Sequence, residues 1–257
     1  MRIAMFGSGN LATYLGKALK NAGHEITGVY SRNQRHAKSL AKKLSSRVLL
    51  EPGEAMPDCE LAILAVSDDA IAEISSVIPG SLPRVHTSGA VALGEMHGQR
   101  KGVLYPLQSF SKGSRPKFAE IPICIEASDP QLLSMLEELA STISEKVEII
   151  HSEQRLKLHL AAVFVNNFSN HMYQSASELL AKDSLSFELL LPLIRETAAK
   201  VKRVSPHEAQ TGPARRGDVK TMNKHLHLLQ EDELLREIYL AISQRIMNET
   251  GYRGEAT

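Results

Sequence analysis

The first residues of the chain carry a spacing that could hold a phosphate group. Gly7, Gly9 and Ala12 follow a short apolar run, in the order Gly-Ser-Gly-Asn-Leu-Ala. The first glycine permits a sharp turn, the second lets a pyrophosphate approach the backbone, and the small residue lets a helix pack closely on the strand. Unpaired N–H groups at the start of that helix would face the anion. We expect a dinucleotide to contact this turn at Gly7, Ser8, Gly9, Asn10 and Leu11. A plain glycine turn is the alternative.

The second predicted strand, Glu25–Tyr30, ends in Ser31 and Arg32 rather than in an acid. An Asp or Glu at this point would bind the ribose hydroxyls of NAD, whereas a hydroxyl and a guanidinium suit the 2′-phosphate of NADP. The absence of an acid therefore favours NADP. In a simpler interpretation Ser31 caps the next helix and Arg32 is solvated, and both interpretations can hold together.

Polar residues also end two later strands. Val66 and Ser67 close an unbroken apolar run, and His86, Thr87 and Ser88 close the next predicted strand. Ligands of open α/β sheets bind outside the carboxyl ends of the strands, so we expect these residues to face the cofactor cleft. Val66, Ser67 and Thr87 are assigned to cofactor binding, and His86 and Ser88 to catalysis. The alternative for His86 is a core histidine bonded to backbone.

A long helical run lies in the second half, and its apolar middle, 158–168, is expected to be buried. His159, Asn166 and Asn167 lie in this middle. Buried polar groups need partners, so these side chains either bond within the protein or face a ligand. We expect a substrate-facing wall in which His159 and Asn167 are catalytic and Asn166 binds substrate. His159 or His86 would exchange the proton that accompanies hydride transfer, because imidazole titrates near neutral pH.

Two adjacent arginines, Arg215 and Arg216, follow a rigid Thr-Gly-Pro turn, and His225 lies further along the chain. Guanidinium forks suit a carboxylate or a phosphate. These three residues are assigned to substrate binding, with Arg216 preferred because Arg215 could be solvated. Asp218 is expected to cap the helix that contains His225.

The elements that must position these residues change in kind near residue 150. Strands alternate with helices before it, as in a doubly wound parallel sheet, and the strand pattern disappears after it. We predict an α/β Rossmann domain over residues 1–150 and an all-α domain over 151–257, with the reacting groups in the cleft between them. The last helix is predicted to end near residue 249, followed by a frayed tail over 251–257.

Composition places the chain among ordinary globular proteins. Its 257 residues are 43% hydrophobic and 23% charged, and a formal net charge of +1 gives no reason to expect binding to nucleic acid or to a membrane surface. No apolar run could span a bilayer, and the first strand starts at residue 2, so we expect no targeting segment and a cytoplasmic protein. Two distant cysteines and no cluster with metal-ligand spacing predict neither a disulfide nor a metal site.

Four segments stand out as a set: His-Thr-Ser-Gly-Ala at 86–90, Tyr-Pro-Leu-Gln-Ser-Phe at 105–110, His-Leu-Ala-Ala at 159–162 with Asn167 and Phe168, and Gly-Pro-Ala-Arg-Arg-Gly-Asp at 212–218 with Thr221 and His225. Together they resemble the Rossmann-like proteins that carry a DUF2520 C-terminal domain. The N-terminal half also resembles the NADP-binding domain of pyrroline-5-carboxylate reductase, 6-phosphogluconate dehydrogenase and the deazaflavin-dependent reductases. The resemblance implies an NADP-binding domain, a helical second domain and a homodimer formed through the C-terminal helices.

The β-hydroxyacid dehydrogenases of this superfamily carry a Lys and, four residues later, an Asn on the helix between the domains. Here Lys157 is followed by Ala161, so that catalytic pair is absent and the activity is not transferred. The leading hypothesis is an NADP-dependent oxidoreductase that moves hydride to or from a small, anionic carbonyl, hydroxy or imine substrate. The alternative is a non-catalytic NADP-binding regulatory or scaffold protein. A deazaflavin beside NADP stays open as a second redox partner.

Overall fold

The computed structural model describes residues 1–54 and 59–249 and contains an eight-stranded sheet. Its strands are β1 Arg2–Phe6, β2 Glu25–Tyr30, β3 Arg47–Leu49, β4 Leu61–Leu64, β5 Arg84–His86, β6 Lys101–Pro106, β7 Ile123–Ala127 and β8 Val147–Ile149. Their order in the sheet is β3-β2-β1-β4-β5-β6-β7-β8. The first six strands follow the order of the doubly wound dinucleotide-binding fold, and the Rossmann prediction is therefore confirmed.

The helices are α1 Asn10–Asn21, α2 Gln34–Leu44, α3 Asp68–Val77, α4 Pro130–Ser141, α5 Ser152–Ala162, α6 Ser169–Lys182, α7 Leu191–Lys200, α8 Pro206–Ala209, α9 Pro213–Arg216, α10 Val219–Leu228 and α11 Glu233–Glu249. A π-helical segment, Val163–Phe168, follows α5 directly. Segments of this type are rare and occur often at functional sites. The sequence predicted an uninterrupted helix here.

Contacts within the chain define two compact units, Met1–Phe168 and a second one from Ser169 onward. The first unit holds the sheet and α1 to α5, and the described part of the second is helical. An α/β region followed by a helical region is thus confirmed. The contacts divide the chain after Phe168, whereas the boundary at residue 150 marks the change from strands to helices, and the assignment of separate roles to the two domains stays a prediction. The predicted tail at 251–257 lies outside the described residues.

Both faces of the central strands β1 and β4 are buried, because successive residues of these strands are apolar. Ile3 and Met5 of β1 belong to the apolar core that includes residues of α1, α2 and α4. Ala4 and Phe6 belong to the core that includes residues of α3. Neighbouring residues of one strand therefore support opposite layers of helices, which fixes the end of β1 from both sides.

The parallel arrangement of the strands ends between β6 and β7. Strands β6 and β7 pair antiparallel, while the other described neighbours are parallel. An antiparallel pair needs no crossover helix, and only the short 3-10 turn Phe118–Glu120 lies between these two strands. The chain before that turn is consequently free to form an irregular loop at the end of β6.

The apolar middle of the long helical run, 158–168, is exposed in the structure, so the prediction of its burial is wrong. Leu160, Phe164 and Val165 expose 56%, 59% and 77% of their surface. Helical periodicity shows that an apolar face exists, but it does not show what covers that face. In a single copy of the chain, the apolar side chains of this face are exposed to solvent.

None of the described helices is long and apolar enough to cross a membrane. Cys59 and Cys124 are both free thiols, and Cys124 is buried. Over residues 1–54 and 59–249, no group of three His, Cys, Asp or Glu side chains is placed to hold a metal ion.

Candidate functional site

The turn after β1 is built so that only glycine can begin it. Gly7 has a φ of +117°, and a Cβ on it would lie 2.0 Å from the carbonyl oxygen of Ala65. Its N–H donates to the carbonyl of Tyr30 at 2.8 Å. Gly9 precedes α1, and no side chain caps that helix. The first-turn N–H groups of α1 are therefore available to an anion.

The end of β2 is joined to this turn by a hydroxyl pair. The Oγ atoms of Ser8 and Ser31 lie 2.8 Å apart. Helix α2 is capped by Asn33, whose side chain accepts from the N–H groups of Arg35 and His36. The interpretation of Ser31 as the helix cap is therefore wrong, and its hydroxyl belongs to the glycine turn instead.

A cavity of about 370 Å³ lies over the turn, and we call it the turn cavity. Its lining includes most of the residues assigned to the cofactor, namely Gly7, Ser8, Gly9, Ser31, Arg32, Val66 and Ser67. The acid on its wall, Glu73, comes from α3 and not from the end of β2. An open helix terminus, a turn that excludes a Cβ at Gly7 and an exposed guanidinium at Arg32 fit the pyrophosphate and 2′-phosphate of NADP.

Asn10 and Leu11 do not line the turn cavity with their side chains. The side-chain amide of Asn10 donates to the carbonyl of Phe110 at 3.0 Å, and Leu11 packs on the apolar core. Any contact of these two residues with a phosphate would be made through the backbone of the first turn of α1.

The residues that end β5 are held by the protein itself. The Thr87 hydroxyl donates to the carbonyl of Leu64, and the Ser88 hydroxyl oxygen accepts from the N–H groups of Ala90 and Val91. None of the three residues His86, Thr87 and Ser88 is among the lining of the turn cavity. These bonds account for Thr87 and Ser88 as structural residues, and their predicted roles stay untested.

His86 is fully buried and neutral at physiological pH. Burial lowers the pKa of His86 to about 4, and the charge of Arg155 adds to this effect. Its Nδ1 accepts from the N–H of Ser88 at 3.1 Å, so Nε2 carries the hydrogen, and Nε2 has no partner among the described atoms. A neutral, buried imidazole can donate a hydrogen bond but is a poor source of a proton at neutral pH.

A second cavity of about 580 Å³ lies beside α5, and we call it the helix cavity. Its polar lining consists of Tyr105, Gln108, Ser109, His159, Asn166 and Asn167. The hydroxyl of Tyr105 lies 3.1 Å from Nδ1 of His159, and the two rings meet edge to face. Burial raises the pKa of Tyr105, so the phenol keeps its hydrogen. Three residues that the sequence placed on one substrate-facing wall, His159, Asn166 and Asn167, thus line one cavity.

Gly89 supports this tyrosine–histidine pair from behind. A Cβ on Gly89 would lie 2.6 Å from Nδ1 of His159 and 2.9 Å from Cζ of Tyr105. Real Cβ atoms essentially never approach so closely. A glycine is therefore needed here because both rings pack directly on the backbone.

The position of α5 is set by a buried ion pair near its start. Arg155 is 1% exposed, and its guanidinium contacts the carboxylate of Glu126 on β7 and the carbonyl of Val91. Ser152 donates to Glu126 at 2.8 Å. Burial raises the pKa of Glu126, but the bonds from Arg155 and Ser152 outweigh it and lower the net value. His159 lies one helical turn beyond Arg155, so the ion pair also determines where His159 is placed.

The remaining predicted residues, Arg215, Arg216 and His225, lie in the second unit. Arg215 is half-buried and donates to the carbonyl of His207 at 3.4 Å, while Arg216 is exposed. Nδ1 of His225 lies 2.9 Å from the hydroxyl of Tyr239. Asp218 caps α10 as predicted, and the bonds from Thr221 lower its pKa. The substrate-binding roles of the three residues stay predictions.

Tyr105, Gln108 and Gly89 lie within motifs of the sequence, but local spacing assigns them no role. A polar loop after the strand β6 and a polar face on α5 are the features of the sequence that indicate them, if the two are expected to meet. The partner residues, Tyr105 and His159, are 54 positions apart, and neither periodicity nor local spacing connects them. Arg155 and Glu126 were missed for the same reason.

Two family models match the chain. One, described as NADP oxidoreductase coenzyme F420-dependent, matches residues 2–85, and the other, described as the domain of unknown function DUF2520, matches residues 121–246. No curated protein matches. The first of these models agrees with the dinucleotide site that the fold and the turn cavity indicate.

Solved structures are also similar to this chain. A "putative NADP oxidoreductase" from Bacteroides fragilis is 42% identical, with 96% of this chain and 98% of that chain covered and a TM-score of 0.88. The chain belongs to this family of NADP oxidoreductases, and its cofactor is NADP. A pyrroline-5-carboxylate reductase from Streptococcus pyogenes (14% identity, 98% of each chain, TM-score 0.67) shares the fold. So does a reductive aminase from Aspergillus terreus (12% identity, 98% of this chain and 94% of that one, TM-score 0.74).

We expect Gly89→Ala to destabilise the protein, because the added Cβ must push His159 and Tyr105 apart. Overpacking of this kind costs about 1–3 kcal/mol in free energy of unfolding. Urea unfolding of the wild type and of Gly89→Ala measures the difference in free energy of unfolding. Gly94→Ala is the matched control, since no described atom lies within 4 Å of its added Cβ. Equal stability of the two variants would contradict the packing described for Gly89.

Proposed function

We propose that the protein is an NADPH-dependent reductase of small carbonyl or imine compounds, able to run in reverse on the corresponding alcohol or amine. The observation that carries the proposal is the 3.1 Å contact between the Tyr105 hydroxyl and Nδ1 of His159 on the wall of the helix cavity. A hydroxyl backed by an imidazole can deliver a proton to a substrate heteroatom. The fold shared with a reductive aminase and a pyrroline-5-carboxylate reductase agrees with this chemistry.

NADPH, when bound, supplies the hydride that is added to the substrate carbon. The double bond to oxygen or nitrogen then breaks to a single bond, and the heteroatom must gain one proton. Tyr105 gives this proton from its hydroxyl, and protonated His159 gives one from Nδ1 to the tyrosine oxygen in the same step. His159 is half-buried and regains its proton from solvent. The amides of Gln108, Asn166 and Asn167 orient the heteroatom.

Arg216 is the residue we assign to an acid group of the substrate, with Arg215 and His225 as further binding residues. The exposed guanidinium of Arg216 supports this assignment, while Arg215 and His225 already have partners within the second unit. The KM for a keto acid, compared with its neutral amide, in wild type and in Arg216→Ala tests it. An unchanged KM ratio would remove Arg216 from substrate binding.

We expect purified protein to consume NADPH with at least one member of a panel of aldehydes, ketones, keto acids and cyclic imines. Tyr105→Phe and His159→Asn should each lower kcat about 100-fold or more, the usual contribution of a general acid, while NADPH affinity stays unchanged. NADPH absorbance gives the rate and fluorescence titration gives the affinity. His97→Asn is the control, because His97 is exposed and outside both cavities.

Other outcomes of this assay have defined meanings. Tight NADPH binding without turnover across the panel would favour the alternative, a regulatory or scaffold protein that senses NADPH. Turnover that needs an added deazaflavin would assign the second redox partner. Full activity of Tyr105→Phe would overturn the role of the tyrosine.

We also propose that Arg32 selects NADP over NAD. Loss of a charge-assisted hydrogen bond costs about 1.5–3 kcal/mol, so we expect Arg32→Ala to weaken NADPH binding about 10-fold to 100-fold. NADH binding should change little, because NADH lacks the 2′-phosphate. Arg35→Ala is the matched control, three residues further along in the first turn of α2. Fluorescence titration of both cofactors measures the effect, and a larger loss in Arg35→Ala than in Arg32→Ala would contradict the assignment.

The second unit buries few apolar side chains in its described part, namely Ala214, Met222, Leu229 and Met247. Large apolar side chains of the same unit are exposed, among them Leu185, Leu189, Leu193, Leu228 and Leu234. Exposure of this extent marks an interaction surface, and closed twofold dimers are the commonest soluble oligomers. We propose that a second copy of the chain covers these helices and that the protein is a homodimer.

We expect the wild type to have twice the chain mass in sedimentation equilibrium at micromolar concentration. The double variant Leu189→Asp and Leu193→Asp should have the mass of one chain, because it places two charges in the proposed interface. Leu50→Asp is the control, since Leu50 is 69% exposed but belongs to the first unit. A wild type that sediments as one chain, or a double variant that keeps the wild-type mass, would rule out this interface.

A further inference from the structure

The segment that follows β6 forms part of the wall of the helix cavity. Leu107, Gln108 and Ser109 line that cavity. The N–H of Leu107 donates to the carbonyl of Pro122 at 2.8 Å, which fixes the start of the segment. Oε1 of Gln108 accepts from the N–H of Ser109 at 2.9 Å, so the amide nitrogen of Gln108 is left to donate to a ligand.

The far end of the segment is held by α1, the helix of the glycine turn. The side-chain amide of Asn10 donates to the carbonyl of Phe110 at 3.0 Å, and the hydroxyl of Tyr14 donates to the carbonyl of Ser111 at 3.1 Å. The ring of Phe110 stacks between those of Tyr14 and Phe118, at centroid distances of 6.0 and 5.8 Å. All of these contacts lie within the first unit.

Asn10 lines neither cavity but connects the elements that build them. It is the first residue of α1, directly after Gly9, so its backbone lies where the pyrophosphate is expected. Its side chain points elsewhere and holds the 107–111 segment. Ordering the first turn of α1 around a phosphate would order the carbonyl of Phe110, and with it Gln108, two residues away.

We propose that Asn10 and Tyr14 are positioning residues that couple NADP binding to the shape of the helix cavity. The inference rests on the proposed function, because it assigns the coupled wall to the substrate. Coupling of this kind is reciprocal, so a substrate that orders the 107–111 segment must also tighten the binding of NADP. The residues act through the loop and need not touch either ligand with their side chains.

Hydrogen–deuterium exchange of full-length protein tests the coupling without any substrate. We expect saturating NADPH to slow exchange of the amides of residues 107–111 in the wild type. In Tyr14→Phe, which keeps the stacked ring, and in Asn10→Ala, this protection should fall to a third or less. Loss of a hydrogen bond changes such an equilibrium roughly 2-fold to 13-fold. Lys17→Ala, an exposed position on the same helix, is the control and should keep full protection.

Fluorescence titration of each variant with NADPH separates this inference from the proposed function. If NADPH binds the wild type and leaves the 107–111 amides unchanged, or protects them equally in both variants, the coupling is overturned while the reductase proposal stands. If NADPH protects the segment as expected but no compound of the panel is turned over, the coupling stands and the reductase proposal fails. Absence of NADPH binding would overturn both.

A steady-state measurement distinguishes positioning from general destabilisation. With a substrate from the panel, Tyr14→Phe should raise the substrate KM about 3-fold to 10-fold and change kcat less than about 2-fold, since Tyr14 makes no contact in the reacting centre. A fall in kcat at unchanged KM would overturn the positioning role. Tyr14→Ala, which also removes the stacked ring, should give the larger rise in KM.

Discussion

The buried ion pair between Arg155 and Glu126 is the interaction on which the helix cavity depends. It joins the start of α5 to β7, and Ser152 and the carbonyl of Val91 add further hydrogen bonds to the two side chains. Two buried charges are costly to desolvate, and removal of either partner would leave the other one unpaired, at about 3–5 kcal/mol. The pair therefore links the position of α5 to that of β7. His159 is presented to Tyr105 by this attachment.

Both cavities are built by the first unit, and they use opposite kinds of chemistry. The turn cavity offers backbone N–H groups, hydroxyls and a guanidinium, which suit phosphates. The helix cavity offers a phenol, an imidazole and carboxamides, which suit a neutral heteroatom that gains or loses a proton. The loop after β6 contacts α1 on one side and lines the helix cavity on the other. The loop and α1 are far apart in the sequence, and their hydrogen bonds thus link the walls of the two cavities.

The sequence predicted those features that local spacing determines. The glycine turn, the strands and helices that follow it, and the capping of α10 by Asp218 all follow from neighbouring residues. It failed where a distant partner decides. The direction in which β7 pairs with β6 depends on residues that lie far apart in the sequence. The exposure of Leu160 and Phe164 depends on which parts of the chain pack against the helix, and local spacing does not determine this. The Tyr105–His159 and Arg155–Glu126 contacts join residues that share no pattern. The π-helical segment changes the helical register, and it contains no Gly or Pro that would predict such a change.

Gly7 and Gly9 of the first turn are each required for a different physical reason. At Gly7 the protein itself forbids a side chain, because Ala65 occupies the place of a Cβ and φ is +117°. At Gly9 φ is −71° and no described atom lies within 4 Å of an added Cβ, so only the bound phosphate would meet it. A lineage that ceased to use the dinucleotide would keep Gly7 for the sake of folding and would be free to drift at Gly9. The residue at position 9 would thus show whether such a lineage still binds the dinucleotide.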